Sequence, residues 1–119
     1  MVVSAGARRI LVVDDDPMVA TTVQRVLRPE GYEVDVATKP EEFSGKLRQA
    51  DYHAVLVDPN ISPTGVKWVN SVLAEFPGLC SRLIMATAAA KHGLSVFATL
   101  QKPLEFGLLI DTVEACVKK

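Results

Sequence analysis

Acidic side chains follow two apolar runs that are expected to form buried strands. Asp14–Asp16 comes directly after Ile10–Val13, and Asp58 comes directly after Ala54–Val57. Short aliphatic runs are typical of parallel strands buried on both faces, and ligands bind at the carboxyl ends of such strands. Neighbouring carboxylates repel each other unless a cation such as Mg²⁺ offsets them. An acidic turn that caps the next helix, with Pro17 in its first position, is the alternative.

A hydroxyl and an ammonium group end two further predicted strands. Thr87 follows Arg82–Ala86, and Lys102 follows Ser95–Leu100 after one intervening residue. Because the carboxyl ends of parallel strands lie at the same edge of a sheet, we expect these groups to converge with the acids. Two simpler roles remain open at this point: Thr87 as the cap of a short helix, and Lys102 in a salt bridge at a strand end.

This combination suits the transfer of a phosphoryl group to Asp58. A carboxylate can attack phosphorus to form an acyl phosphate, and the transferred group needs positive charge and hydrogen-bond donors around it. Lys102 would supply positive charge, and the Thr87 hydroxyl would donate a hydrogen bond to a phosphoryl oxygen. Oxygen ligands for Mg²⁺ would come from the two acidic strand ends: Asp15, Asp58, the backbone oxygen of Asn60 and, through water, Asp14.

Composition narrows the class of protein. The chain has 119 residues, which suits one domain, and 49% of them are hydrophobic but only 6% aromatic, so an aliphatic core is expected. The net charge is −1 with scattered basic residues, which argues against a nucleic-acid partner. No apolar run is long enough to cross a bilayer, and Met1–Ala7 is too short and polar for a signal peptide. We therefore expect a cytoplasmic protein in which Cys80 and Cys116 are free, at least half-buried thiols.

Strand and helix patterns alternate along the chain. The predicted strands are Ile10–Val13, Tyr32–Ala37, Ala54–Val57, Arg82–Ala86 and Ser95–Leu100. Helices are predicted after the first, second, third and fifth strands, whereas 88–93 can form only a turn or two. Apolar side chains at helical spacing mark the buried helix faces, among them Met18, Val23, Phe43, Val69, Phe106 and Val113. Thr38 is a plausible cap for the helix 40–49. The alternation predicts a parallel sheet with helices on both faces.

Four motifs together resemble the receiver domain of bacterial two-component response regulators. They are Ile-Leu-Val-Val-Asp-Asp-Asp-Pro (10–17), Val-Leu-Val-Asp (55–58), Ile-Met-Ala-Thr-Ala (84–88) and Gln-Lys-Pro-Leu (101–104). The resemblance covers 9–119, after a flexible lead at 1–8. It implies a flavodoxin-like (βα)5 fold with strand order 2-1-3-4-5.

The resemblance also implies Mg²⁺-dependent phosphorylation by a sensor histidine kinase or phosphotransfer protein. By position, Asp58 matches the family's phosphoacceptor. The remaining site residues match an acidic pair, a carbonyl ligand, a switch hydroxyl and a lysine: Asp14 and Asp15, Asn60, Thr87 and Lys102. A C-terminal output domain and a homodimer are further expectations from this resemblance.

The sequence departs from the family pattern after Asp58 and after Thr87. The loop after Asp58 has its proline displaced to Pro63 and looks one residue short. Thr87 and Lys102 are fifteen positions apart, shorter than usual by about two helical turns, so the fourth helix should be short or missing. The residues 90–97 resemble receivers that precede EAL phosphodiesterase domains.

The family's usual aromatic, three residues before the lysine, is Thr99 here. Phe97 is either a displaced substitute for that aromatic or, more simply, core. His92 is interpreted as a solvated loop residue and His53 as structural.

Three functions are compatible with these residues. The first is a phosphoacceptor switch that controls an output domain or partner and is not a turnover enzyme. The second is a pseudo-receiver that acts as a phosphorylation-independent interaction or dimerisation module, motivated by Thr99 and the short fourth helix. The third is a small phosphatase with Asp58 as nucleophile, which is disfavoured because Asn60 stands where a second catalytic acid would be needed.

Overall fold

The parallel sheet predicted from the sequence is present, with helices on both of its faces. The computed structural model describes residues 8–88 and 92–118. Its strands are β1 (Arg8–Val13), β2 (Tyr32–Ala37), β3 (Ala54–Val57), β4 (Leu83–Thr87) and β5 (Ala98–Gln101). All neighbouring strands pair in parallel in the order β2-β1-β3-β4-β5, as the resemblance implied.

Four α-helices occur in the described part of the chain. They are α1 (Pro17–Leu27), α2 (Pro40–Gln49), α3 (Val66–Glu75) and α4 (Phe106–Lys118). Short 3₁₀ helices follow α1, β3 and α3. Residues 92–97 contain no helix, in agreement with a short or missing fourth helix, although 89–91 lie outside the described residues. No helix in the described ranges is long and apolar enough to span a membrane.

The alternation of side chains along β1 divides the core into two layers. Ile10 and Val12 pack on one face with residues of α1 and α4. Leu11 and Val13 pack on the other face with residues of α2 and α3. The central strands β3 and β4 are buried along their whole length, which explains their uninterrupted apolar sequences.

Element boundaries differ from the predicted ones at three strands. β1 starts at Arg8, two residues before Ile10, and includes the last residue of the predicted lead 1–8, whose first seven residues lie outside the described chain. β4 starts at Leu83 and not at Arg82. β5 starts only at Ala98, so the prediction of a strand from Ser95 was wrong. Phe97 N donates to Leu83 O at 2.9 Å, so pairing with β4 begins directly before Ala98 and does not reach Ser95.

Several side chains are placed differently from the predictions. Lys39, not Thr38, occupies the N-cap position of α2, and Thr38 instead donates two hydrogen bonds to Glu42. Cys116 is buried as expected, but Cys80 is exposed. Met18 and Phe106 were assigned to buried helix faces and are 76% and 45% exposed. Both lie at the start of their helices and line a groove of about 340 Å³, so the apolar stripes extend beyond the sheet that covers them.

Candidate functional site

The predicted site residues stand at the carboxyl ends of four adjacent strands. Asp14 follows β1, Asp58 follows β3, Thr87 ends β4, and Lys102 follows β5. Backbone hydrogen bonds continue the sheet into these positions. The amide of Asp58 donates to Val13 O at 2.8 Å, and the amide of Lys102 donates to Thr87 O at 3.0 Å. The four groups are therefore held at one edge by the sheet itself.

A single ammonium group bridges the two buried carboxylates. Lys102 Nζ lies 2.6 Å from Asp14 Oδ2 and 2.6 Å from Asp58 Oδ2. The side chains of both aspartates are only 5% exposed, whereas that of Lys102 is 23% exposed. Buried carboxylates without such pairing would be costly, so the lysine stabilises the ionised site in this conformation. The ion-pair alternative for Lys102 is thus observed, and it occurs within the predicted cluster.

Backbone amides orient the second oxygen of each carboxylate. The amide of Asp16 donates to Asp14 Oδ1 at 2.9 Å, and the amide of Asn60 donates to Asp58 Oδ1 at 2.8 Å. Asp58 thereby caps the 3₁₀ helix Pro59–Ile61. The capping alternative for the first acidic turn holds for Asp16, whose side chain accepts from Met18 N at the start of α1. Asp14 remains available to the cluster.

Burial and charge shift two of the titrating groups. Burial raises the pKa of Asp14, and its hydrogen bonds with Lys102 and the Asp16 amide offset that rise only in part. Burial lowers the pKa of Lys102, but hydrogen bonds with Asp14 and Asp58 outweigh it, so this pKa is raised. The lysine therefore stays protonated near neutral pH and provides fixed positive charge beside Asp58.

Three carboxylates are close enough to share a cation. One oxygen each from Asp14, Asp15 and Asp58 can be chosen so that all lie within 4.8 Å of one another. Asp15 is exposed at the mouth of the cluster, while the other two are buried. An all-oxygen donor set suits a hard divalent cation such as Mg²⁺. Asn60 lies beside the cluster because its backbone amide donates a hydrogen bond to Asp58. The role of its carbonyl oxygen as a metal ligand stays a prediction.

Thr87 is buried at the end of β4, only 6% exposed. Its register partner in β5 is Gln101, the residue before Lys102. The sheet therefore brings Thr87 to the same edge as the carboxylates. Its alternative role, as the cap of a helix beginning in 88–93, falls partly on residues that lie outside the described chain.

His92 makes a contact that sequence reasoning missed. Its Nε2 lies 2.8 Å from the hydroxyl oxygen of Thr99, and its Nδ1 accepts a hydrogen bond from Leu94 N at 3.0 Å. The residue lies in a loop and is half-buried, with its ring held by these two contacts. No periodicity links positions 92 and 99, which only the fold brings together. Phe97 packs against the layer that contains Ile10, as its interpretation as core predicted.

Comparisons with known proteins agree with this arrangement. A family model described as the response regulator receiver domain matches residues 10–114. The chain belongs to this family. As a receiver domain it is a signalling module.

Curated relatives of this receiver domain include longer proteins. The transcriptional regulatory protein ZraR of Salmonella typhimurium is 28% identical over 115 residues, which cover 92% of this chain and 26% of that protein. ZraR of Escherichia coli K12 is 29% identical over 111 residues, covering 88% and 25%. The receiver domain thus spans about a quarter of the length of these relatives.

Solved structures share the fold of this receiver domain. A CheY-like receiver domain protein from Methanospirillum hungatei aligns with a TM-score of 0.82 and 24% identity over 95% of both chains. The N-terminal signal receiver domain of a Bacteroides fragilis response regulator also gives a TM-score of 0.82 and 24% identity, over 96% of this chain and 99% of that one. At this identity, the similarity supports the flavodoxin-like architecture alone.

Proposed function

We propose that the domain accepts a phosphoryl group on Asp58, in a Mg²⁺-dependent transfer from the phosphohistidine of a partner kinase or phosphotransfer protein. The observation that carries this proposal is the ammonium bridge of Lys102 between Asp14 and Asp58, beside the exposed Asp15. This arrangement presents a buried carboxylate and a positive charge at one edge of the sheet. Both are needed for attack on an anionic phosphoryl group.

In the proposed transfer, a carboxylate oxygen of Asp58 forms a bond to phosphorus while the donor's phosphorus–nitrogen bond breaks. The imidazole leaves with the bonding electrons and takes a proton from solvent. Mg²⁺, when bound, supplies positive charge that offsets the carboxylates and the phosphoryl oxygens. Asp14, Asp15, Asp58 and the Asn60 carbonyl would hold it.

The neighbouring side chains would stabilise the product. The Lys102 ammonium, already 2.6 Å from Asp58, would pair with a phosphoryl oxygen once the carboxylate has become an acyl phosphate. The hydroxyl of Thr87 would donate a hydrogen bond to another phosphoryl oxygen. To make this hydrogen bond, the side chain of Thr87 would move towards the phosphoryl group, and this movement would be the conformational signal. The signal would be passed to an output domain, for which the greater length of the ZraR relatives leaves room, or to a separate partner.

Intact-mass spectrometry after incubation with acetyl phosphate tests the acceptor chemistry. We expect a gain of one phosphoryl mass that requires Mg²⁺, is removed by hydroxylamine as an acyl phosphate should be, and is absent from Asp58→Asn. The matched control Asp111→Asn alters an exposed carboxylate on α4 and should leave the adduct unchanged.

A histidine phosphotransfer protein loaded with phosphate serves as a second donor. An adduct that persists in Asp58→Asn would contradict the assignment of Asp58. No adduct with either donor would contradict the proposal and support a phosphorylation-independent interaction module.

A further inference from the structure

We propose that a cavity at the amino edge of the sheet is a second ligand site, where Arg82 binds the carboxylate or phosphate group of a small organic molecule. The cavity lies before β3 and β4, at the opposite edge of the sheet from Asp58. The proposed phosphorylation does not use it, so the inference stands apart from that function.

Three segments of the chain form the walls of this amino-edge cavity. They are residues 51–53 before β3, residues 81–82 before β4 and residues 116–117 in the last turn of α4. The Cys116 thiol lies 3.9 Å from His53 O and 4.0 Å from Ser81 O, so α4 contacts both other walls. The volume of about 530 Å³ is in the range of sites that hold small organic ligands.

Arg82 is anchored at one side of its guanidinium group, whereas the other side has no partner. Its Nη1 donates to Tyr52 O at 3.1 Å. Its Nε is buried without a hydrogen-bond partner, and none of the described carboxylates forms an ion pair with this side chain. A buried N–H group without a partner is destabilising, so a ligand atom that accepts from it favours the bound state.

The unpartnered side of Arg82 has the geometry that recognises an oxyanion. In a guanidinium group, Nε–H and one N–H of Nη2 are parallel, and together they bind two oxygens of a carboxylate or a phosphate. Nε is closed to solvent in the free domain, so the guanidinium group must turn towards the cavity as the ligand binds. Only the single hydrogen bond to Tyr52 O opposes this turn.

His53 and Asp51 have opposite effects on such a ligand. The Nδ1 of His53 accepts from the amide of Arg9 at 3.2 Å, so the neutral ring carries its proton on Nε2 and offers a second donor to the cavity. Asp51 also lines the cavity, and its negative charge repels an anion. Because Asp51 is exposed, solvent and salt screen this repulsion. The Arg82 charge therefore decides the sign of the preferred ligand.

Nuclear magnetic resonance titrations with phenyl phosphate and with benzoate test the site. Metal-free buffer near neutral pH excludes phosphoryl transfer at Asp58. We expect saturable shifts of the Nε–H signal of Arg82 and of the backbone amides of His53 and Ser81, while the amide of Asp58 does not move. The probe that binds more tightly shows whether the site prefers a phosphate or a carboxylate.

Variants of the lining residues separate a built site from general attraction of anions. Arg82→Gln should weaken binding by at least about tenfold, because it removes the charge and the paired donors. Arg82→Lys keeps the charge alone and should lie between Arg82→Gln and the wild type. Asp51→Asn should tighten binding by about twofold, because it removes the opposing charge. Arg25→Gln, which alters an exposed arginine of α1, is the matched control and should bind as the wild type does.

Three results would overturn the proposal. The first is the absence of a saturable shift with either probe, or shifts confined to the residues around Asp58. The second is binding that inorganic phosphate reproduces and that Arg82→Gln leaves unchanged, which would indicate an adventitious ion only. The third applies even if Arg82→Gln fails to fold: unchanged or weaker binding by Asp51→Asn, an exposed substitution, would contradict recognition of a negative charge in this cavity.

Discussion

Lys102 Nζ lies 2.6 Å from Asp58 Oδ2, although the two residues are 44 positions apart in the chain. The same ammonium group lies 2.6 Å from Asp14 Oδ2. One positive charge therefore offsets two carboxylates that are each only 5% exposed. This imbalance leaves net negative charge in a mostly buried cluster, which is the electrostatic reason to expect that a cation stabilises it.

Lys102→Met should destabilise the domain and make it more dependent on Mg²⁺. Loss of the ammonium group leaves two buried carboxylates unpaired, and we expect the free energy of unfolding to fall by about 2–4 kcal/mol without the metal. Binding of Mg²⁺ to the folded state alone should restore more stability in the variant than in the wild type. Urea unfolding with and without millimolar Mg²⁺ measures this, and Lys67→Met, an exposed lysine of α3, is the control. An equal response to Mg²⁺ in all three proteins would contradict the expectation.

Asp14→Asn, unlike Lys102→Met, should not destabilise the metal-free protein. Burial raises the pKa of Asp14, which shows that its ionised form is disfavoured by the surroundings. An amide keeps the acceptor for Asp16 N and leaves Lys102 paired with Asp58 alone. We expect the free energy of unfolding to be unchanged or to rise by up to about 1 kcal/mol, while the stabilisation by Mg²⁺ decreases. Thermal unfolding beside Asp111→Asn tests both points, and clear destabilisation would show that the Asp14 charge is needed structurally.

Tyr52→Phe should reveal that the Tyr52 hydroxyl, outside the candidate site, contributes to the stability of the domain in a pH-dependent way. Tyr52 is 4% exposed, and its hydroxyl donates to Asp35 Oδ2 at 2.7 Å. Burial, and then the bond to Asp35, raise the pKa of Tyr52. Since the folded pKa is the higher one, this contribution is fully present below the ordinary tyrosine pKa of about 10 and is lost as the pH rises through the folded value.

We expect the Tyr52→Phe variant to be less stable by about 1–2 kcal/mol at pH 7. The difference from the wild type should remain constant up to about pH 9 and shrink above about pH 10. Denaturant unfolding at a series of pH values measures it, with Tyr32→Phe, a half-buried tyrosine, as the comparison. A difference that grows at alkaline pH would contradict this sign.

Phe43→Ala should lower stability and change the environment of the single tryptophan. The Phe43 ring is fully buried, and its centroid lies 5.4 Å from that of Trp68 at an interplanar angle of 63°. Truncation of a buried phenylalanine costs about 3–5 kcal/mol, because it removes contacts and leaves a cavity. Urea unfolding gives the cost, and the emission of Trp68 in the native state reports the lost neighbour. Leu47→Ala, on the same helix but half-buried, should lower the free energy of unfolding by less. An equal decrease would show that Phe43 contributes no more than Leu47 to the packing of this layer.

The strands and the residues of the candidate site could be predicted from the sequence because both depend on local patterns. Uninterrupted apolar runs predicted β3 to the residue, and they do so because a central parallel strand is buried on both faces. The position of polar residues directly after such runs predicted that Asp14, Asp58, Thr87 and Lys102 meet, since parallel strands end at one edge. The proposed roles of these residues stay predictions until the acceptor chemistry is measured.

Local patterns failed where packing by distant elements decides the outcome. Met18 has the spacing of a buried helix residue, but it lies in the first turn of α1 and is 76% exposed. Thr38 has the chemistry of a cap, yet Glu42 reaches back to it and Lys39 takes the cap position. β5 begins later than its apolar pattern predicts because its pairing with β4 starts only at Phe97 N and Leu83 O.

Sequence pattern thus determines the order of strands and helices along the chain and the edge at which polar groups gather, because both follow from the burial periods of short segments. The four motifs indicate the family. Tertiary structure alone decides that Lys102 divides its charge between two carboxylates and that His92 meets Thr99. Those contacts depend on distances between side chains on separate strands and loops, which no local period encodes. The proposed acceptor site follows largely from pattern, whereas the contact between His92 and Thr99 could be found only in the folded chain.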